Sequence, residues 1–482
     1  MRAWQGLLLG WCAAVVLAGC GKPPPASSGP VRQLTQADLS AAEQKYGIAP
    51  IPDASVTYQP NVVVVGGGAG AIRAQSANGI IWTIDANAPQ ADELAPGKIF
   101  FMTSRAVGRV LDVRKDGDDI VVVTGPVELT DIVKEADIHI ANLPIDFGEA
   151  LAYETPELPS YTDMTVATLP ERSFMPAAFL PVSQSDAPAA AAATPDVSNL
   201  INFKTSPFAS ASGLGMRVSS DGGGLKVNAQ AAVHLQRPTL DVVLKITPLG
   251  GVTQASVELR GAAGLTIQFE AGTDVGRRAN VHGILEPNVD FSIPVGGIGP
   301  LPFTVTIRQR FVIQTAFGVR NSTISATGDY TFDGGFKVGY FNGNWDVAGP
   351  VGFKARQSML QTAGGISIAA TGINLTHQLR MIVGIGAGGF AVGPYASFTS
   401  AVGLFKGSDI GIVACKEATL VVSLRGGVGY SVPKAITSFI NSALSALNIR
   451  YSIRGEGGVE PSKYLTIINS TGTLKGCQAG KL

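Results

Sequence analysis

Four histidines, His139, His234, His282 and His377, are the residues of this 482-residue chain best suited to proton transfer or metal ligation near neutral pH. Each stands alone, with no second histidine or carboxylate at metal-ligand spacing, so each reads as a surface or partly buried strand residue. The patterns H-E-x-x-H and G-x-S-x-G are both absent, and no serine sits in a recognisable activating context. Asp116, Asp118 and Asp119 cluster at a turn. A calcium loop needs a longer run of oxygen donors closed by a Glu, so these three read as a solvated hairpin tip. No catalytic constellation resolves, and the chain reads as non-enzymatic, with no metal and no cofactor.

The cysteines carry more information. Met1-Arg2 precedes an apolar run from Leu7 to Ala18, which ends at Gly19-Cys20. One positive charge, about a dozen apolar residues and small residues before a cut form the layout of a secretory signal. The run is short for a transmembrane helix, which needs about 20 apolar residues. Leu17-Ala18-Gly19-Cys20 resembles the lipobox of bacterial lipoproteins; the resemblance covers about the first 22 residues. It implies cleavage before Cys20, lipidation of that sulfur (palmitate being a usual acyl chain) and a membrane as partner through the anchor. Gly21-Lys22 follow with no Asp, a pattern that in enterobacteria-like sorting implies the outer membrane. Cys12 then leaves with the signal, and Cys415 and Cys477 remain as two thiols in an oxidising compartment. They are expected to form a disulfide, closing a loop of about 60 residues. No C-x-x-C accompanies either one, which argues against zinc.

Val62–Val65 followed by Gly66, Gly68 and Ala71, with Asp85 about 20 residues on, looks like a dinucleotide fingerprint. That motif needs a full helix after the glycines, with its N-terminus against a pyrophosphate. Here Ser76-Ala77-Asn78-Gly79 breaks the chain after barely two turns, and hairpin signals follow instead of βαβ alternation. The glycines therefore read as a strand bend.

The elements that would position these residues are mostly strands. Gly accounts for 59 residues and charged residues for only 15%, against a typical 25%, which favours extended β structure with many turns. The 36 basic and 36 acidic residues balance, so no basic footprint for nucleic acid exists. After the signal (1–19), residues 20–33 read as a Pro/Ser-rich lipidated tether. Residues 34–175 read as a small β-rich roll or barrel with a leading helix capped at Thr35, and an Asp116-Gly117 hairpin turn. An Ala/Pro/Ser linker (176–199) leads to a large antiparallel β domain (200–482), a sandwich or incomplete barrel built from alternating segments such as 225–235, 239–246 and 253–260. Ile436, Phe439, Ile440, Ala443, Leu444 and Leu447 recur at helical spacing and predict one amphipathic helix, 433–447, covering a sheet face. Tyr330, Phe332, Phe336, Tyr340, Phe341 and Trp345 form the densest aromatic stretch, read as cross-strand packing or as an aromatic surface for glycan or lipid.

The fold class is therefore mainly β. The function expected is a membrane-anchored lipoprotein acting as a structural or binding module at the cell envelope, with an envelope protein, glycan or lipid as partner. Two other readings stand beside it: a carrier of a lipid or apolar ligand in a sheet/helix cavity, and a membrane-inserted barrel or pore component.

Overall fold

The computed structural model describes residues 31–51, 54–76, 79–154, 161–166, 201–249, 251–296, 301–366, 371–386, 391–408, 414–431, 437, 441, 456–459 and 465–473. Strand dominates them. Before the linker lie β1 (Arg32–Gln33), α1 (Ala41–Tyr46), β2 (Val56–Tyr58), β3 (Val62–Val64), β4 (Ile72–Gln75), β5 (Ile81–Asp85), β6 (Ile99–Phe101), β7 (Val107–Asp116) and β8 (Asp119–Gly125). They are followed by α2 (Leu129–Ile132), β9 (Val133–Pro144), β10 (Leu151–Glu154) and β11 (Tyr161–Val166). After it come β12 (Phe203–Ser210), β13 (Gly213–Gly222), β14 (Leu225–Thr247), β15 (Gly251–Thr273), β16 (Val281–Glu286), β17 (Val289–Gly296) and β18 (Thr304–Phe317). β19 (Ser322–Asp333), β20 (Gly335–Phe341), β21 (Asn344–Ala348), β22 (Val351–Gln357) and α3 (Met359–Thr362) continue the chain. The last strands are β23 (Thr371–Gly384), β24 (Ala391–Ser408), β25 (Ala414–Ser431), β26 (Glu456–Val459) and β27 (Leu465–Thr473).

Three open sheets result among the described residues. The smallest has the order β3-β6-β7-β8-β5-β4, and all its pairs are antiparallel except β3 with β6. Its β7–β8 hairpin turns at Gly117, whose φ of +61° suits glycine in the tight turn that Asp-Gly predicts. Alternate residues of Ile99-Phe100-Phe101 point to opposite faces, as strand geometry requires. Ile99 and Phe101 join the main core, and Phe100 joins a second core with Tyr46 and Trp82.

The two larger sheets form a sandwich. One runs β12-β13-β14-β15-β19-β22, with β9 and β2 added beside β14 and the β20–β21 hairpin beside β15. The other runs β1-β17-β18-β23-β24-β25-β26, with β10, β11, β16 and β27 branching from it. Inward positions alternate along each strand, such as Leu240, Val242, Leu244 and Ile246 of β14. The facing sheets interlock closely: the Phe336 and Phe398 rings lie 4.7 Å apart, and Gly426 lets Val338 pack against its backbone.

The 176–199 segment is a boundary in composition, yet sheet pairing crosses it. Val243 of β14 pairs with His139 of β9, Asp290 of β17 with Tyr153 of β10, and His282 of β16 with Thr165 of β11. Residues 62–125 keep their own sheet, whereas 133–166 complete the two larger ones. The helix expected at 433–447 lies outside the described residues apart from Thr437 and Asn441, both helical.

Candidate functional site

The outward face of the second large sheet carries the most unusual chemistry. On β18, odd positions (Val305, Ile307, Phe311, Ile313) face the sandwich core, so Arg308 and Arg310 point the other way. Register then aligns a row across neighbouring strands. Arg308 pairs with Arg380 of β23, Arg380 with Ser397 of β24, and Ser397 with Arg425 of β25. An outward sheet face is normally solvated, but here Arg380 is 6% and Ser397 1% exposed.

Buried charges require partners, and β16, β17 and the row itself supply them. Arg308 Nε donates to Asp290 Oδ2 at 2.9 Å, with both side chains about 10% exposed. Arg310 Nε donates to Glu286 Oε1 at 2.6 Å. Gln378 Nε2 donates to Ser397 Oγ at 2.9 Å, and the Arg380 guanidinium lies 4.8 Å from the Tyr395 ring centroid. Tyr395 also forms a small apolar cluster with Ile382 and Ala391 on this face. At the β10 end of the sheet, the Arg105 guanidinium stacks 3.3 Å over the Tyr153 ring and donates to the carbonyl of Gln44 at 2.7 Å. Burial pushes the Arg105 pKa down. Guanidiniums bind anions through forked donors and do not exchange protons near neutral pH, so this belt suits recognition or packing rather than acid–base catalysis.

His377 departs from the sequence reading. It is neither on the surface nor partly buried: at 1% exposure it points into the sandwich core beside Phe311, whose ring is 6.1 Å away. One ring nitrogen, Nε2, meets Gln309 Oε1 at 2.9 Å, and desolvation pushes its pKa down to about 4. Ser400 lies directly opposite in the β23–β24 ladder, but His377 Nδ1, Gln309 Nε2 and Ser400 Oγ are buried without hydrogen-bond partners. A serine activated as a nucleophile needs a hydrogen bond to its base, which this pair lacks.

The other sequence candidates are dispersed. His139 meets Asp137 at 2.9 Å and His234 meets Thr266 at 2.7 Å, both at exposed positions, and exposed His282 pairs across β16–β18 with Gln314. Among the described residues no group of three or more His, Cys, Asp or Glu could hold a metal ion. The glycine run is a bend: Gly67 is left-handed and Gly68–Ala71 make one 3-10 turn leading straight into β4. Asp85, the acidic residue that follows the glycine run, pairs with Arg73 and accepts from the Asn87 amide at 2.9 Å. A shallow groove of about 300 Å³ sits at the bend of β15, lined by Gln236, Glu258, Arg260 and Asp333. There Arg260 is held by Asp241 at 2.5 Å and Glu258 at 2.7 Å. Cys20 and Cys477 lie outside the described residues; Cys415 stands in β25 opposite Gly407, its side chain outside them too. The belt residues Arg308, Arg310 and Arg380 escaped the sequence reading, although Ile307-Arg308-Gln309-Arg310-Phe311 places three polar residues inside an apolar strand.

The description "Domain of unknown function (DUF8402)" matches residues 184–460, more than half of the chain, and "Domain of unknown function (DUF8403)" matches residues 42–135. No curated protein and no solved structure matches the sequence.

Proposed function

For a chain that belongs to the family described as Domain of unknown function (DUF8402), we propose a role as a lipid-anchored lipoprotein of the cell envelope whose β-sandwich is a non-enzymatic binding or structural module. The observation that carries the reading is Leu17-Ala18-Gly19-Cys20 at the end of a secretory apolar run. Lipid on Cys20 fixes position, residues 21–33 space the body from the bilayer, and the sandwich meets its partner, an envelope protein, glycan or lipid. The polar chemistry of the body supports a binding role. Its buried charges are engaged in ion pairs and ring contacts, and guanidiniums, which recognise rather than react, dominate the outward belt. Outer-membrane location and a Cys415–Cys477 disulfide belong to the same reading.

Metabolic labelling with a palmitate analogue tests the anchor. The wild-type chain takes up label and fractionates with membranes, whereas Cys20→Ser does neither. Equal labelling of the two proteins refutes the lipobox reading.

A further inference from the structure

Two hairpin turns project side by side from one end of the first large sheet. The β14–β15 hairpin turns between Thr247 and Gly251, and the β20–β21 hairpin between Phe341 and Asn344. They are neighbours: Gln254 pairs with Phe341, and the Asn342 amide donates to the Thr253 carbonyl at 2.9 Å. The second turn is an Asn342-Gly343 pair with φ of +45° and +87°, the tight two-residue form that holds flanking side chains at the very tip.

The chemistry of these tips is not that of ordinary solvated turns. Residues 247–253 and 340–345 contain no Asp, Glu, Lys or Arg. Leu249 is 103% exposed and Phe341 60% exposed, large apolar groups at the outermost points of both turns. Behind them the half-buried Tyr340 and Trp345, the latter packed against the core, lie with ring centroids 5.1 Å apart. Apolar tips backed by Tyr and Trp match the layering of a bilayer surface, where aliphatic groups enter the acyl region and amphipathic rings settle at headgroup level.

The N-terminal chain enters near the middle of this sheet: Gln33 Nε2 donates to the Asp146 carbonyl at 2.9 Å, just past Pro144, which pairs with Thr239 at the bend of β14, whereas the tips lie at the level of Lys245 and Asp137. Arg32 pairs with Gly296 at the end of β17, at the edge of the second large sheet. Twelve residues separate Cys20 from Arg32, a reach of at most about 40 Å when fully extended. That reach exceeds the roughly 25 Å of strand between the level of Gln33 and the tips, so the anchor leaves the tips within range of the bilayer.

We propose that the Leu249 and Phe341 tips form a second, non-covalent membrane contact, inserting into the lipid surface within reach of the acyl anchor. The proposal rests on the lipoprotein reading for its setting, but its test does not use the anchor. The chain lacking residues 1–20, and so carrying no lipid, is mixed with phosphatidylethanolamine/phosphatidylglycerol vesicles (3:1) and with phosphatidylcholine vesicles. It is expected to sediment with both, equally at low and high salt, because the tips carry no charge. Trp345 supplies a second signal. Its emission is quenched by brominated acyl chains, whereas Trp82, the one other tryptophan left, is 2% exposed and insensitive. Leu249→Asp with Phe341→Asp, at positions too exposed to affect folding, lowers vesicle binding at least tenfold and removes the quenching. The proposal is overturned if the unlipidated wild-type chain stays in the supernatant, if the double variant sediments equally, or if binding needs phosphatidylglycerol and vanishes with salt. Palmitate labelling of Cys20 is read separately, so failure of the anchor and failure of the tips are distinguishable.

Discussion

His377 occupies an inward slot between Leu375 and Leu379, and its neutral ring is the form the core accepts. Its pKa falls from about 6.5 in the unfolded chain to about 4 when folded. Between those values the unfolded state binds the proton and the folded state does not, so stability drops as pH falls through this window and levels off below it. The full effect is about 3 kcal/mol, of which about 2 kcal/mol is spent by pH 5. Urea midpoints at pH 7 and pH 5 should fall accordingly for the wild type and change much less for His377→Gln. An equal pH response in both proteins would count against a neutral buried His377. The burial was legible in principle, since Ile373, Leu375, His377, Leu379 and Met381 alternate cleanly. Treating histidine as polar, and therefore outward, concealed it.

Individual strands were easier to read than their partners. Asp116-Gly117 marks its hairpin, and alternation over 225–235 and 239–246 finds strand structure. Those two segments are one 23-residue strand, β14, bent where Arg237 has a φ of +46° and Pro238 follows. The turn-like residues at the bend resemble a break, because proline and a left-handed residue mark both. Contact between sheets is less legible still: nothing local says that Gly426 must be small. A Cβ placed there falls 2.0 Å from Val338 Cγ1. Gly426→Ala is expected to cost about 1–3 kcal/mol through overpacking, and adding Val338→Ala should recover part of it. Denaturant midpoints of the single and double variants measure the coupling, and strict additivity would show that the two residues do not share space.

For the whole molecule, the disulfide expected between Cys415 and Cys477 fastens the segment that follows β25. Closing about 60 residues contributes about 4 kcal/mol in the chain-entropy model. Reductant should lower the thermal midpoint of the wild type to that of Cys415→Ser and leave the variant unmoved; a wild-type midpoint indifferent to reductant rules the pair out. The belt of Arg308, Arg380 and Arg425 likewise belongs to this scale. It exists only because β18, β23, β24 and β25 pair in one register, and no window of sequence contains it.

The pairing of β10 with β17 and of β11 with β16 has a consequence for how the chain is made. Synthesis delivers the N-terminus first, so residues 151–166 emerge more than a hundred residues before the strands that complete them. Until then β9, β10 and β11 are open edges able to pair with any other extended chain. Residues 62–125, which close their own sheet, can fold early, whereas the sandwich waits for its second half. Its long-range contacts place it among slow folders. The nascent protein therefore spends its most vulnerable interval as a finished small sheet trailed by unpaired strands, when a holding chaperone would matter most.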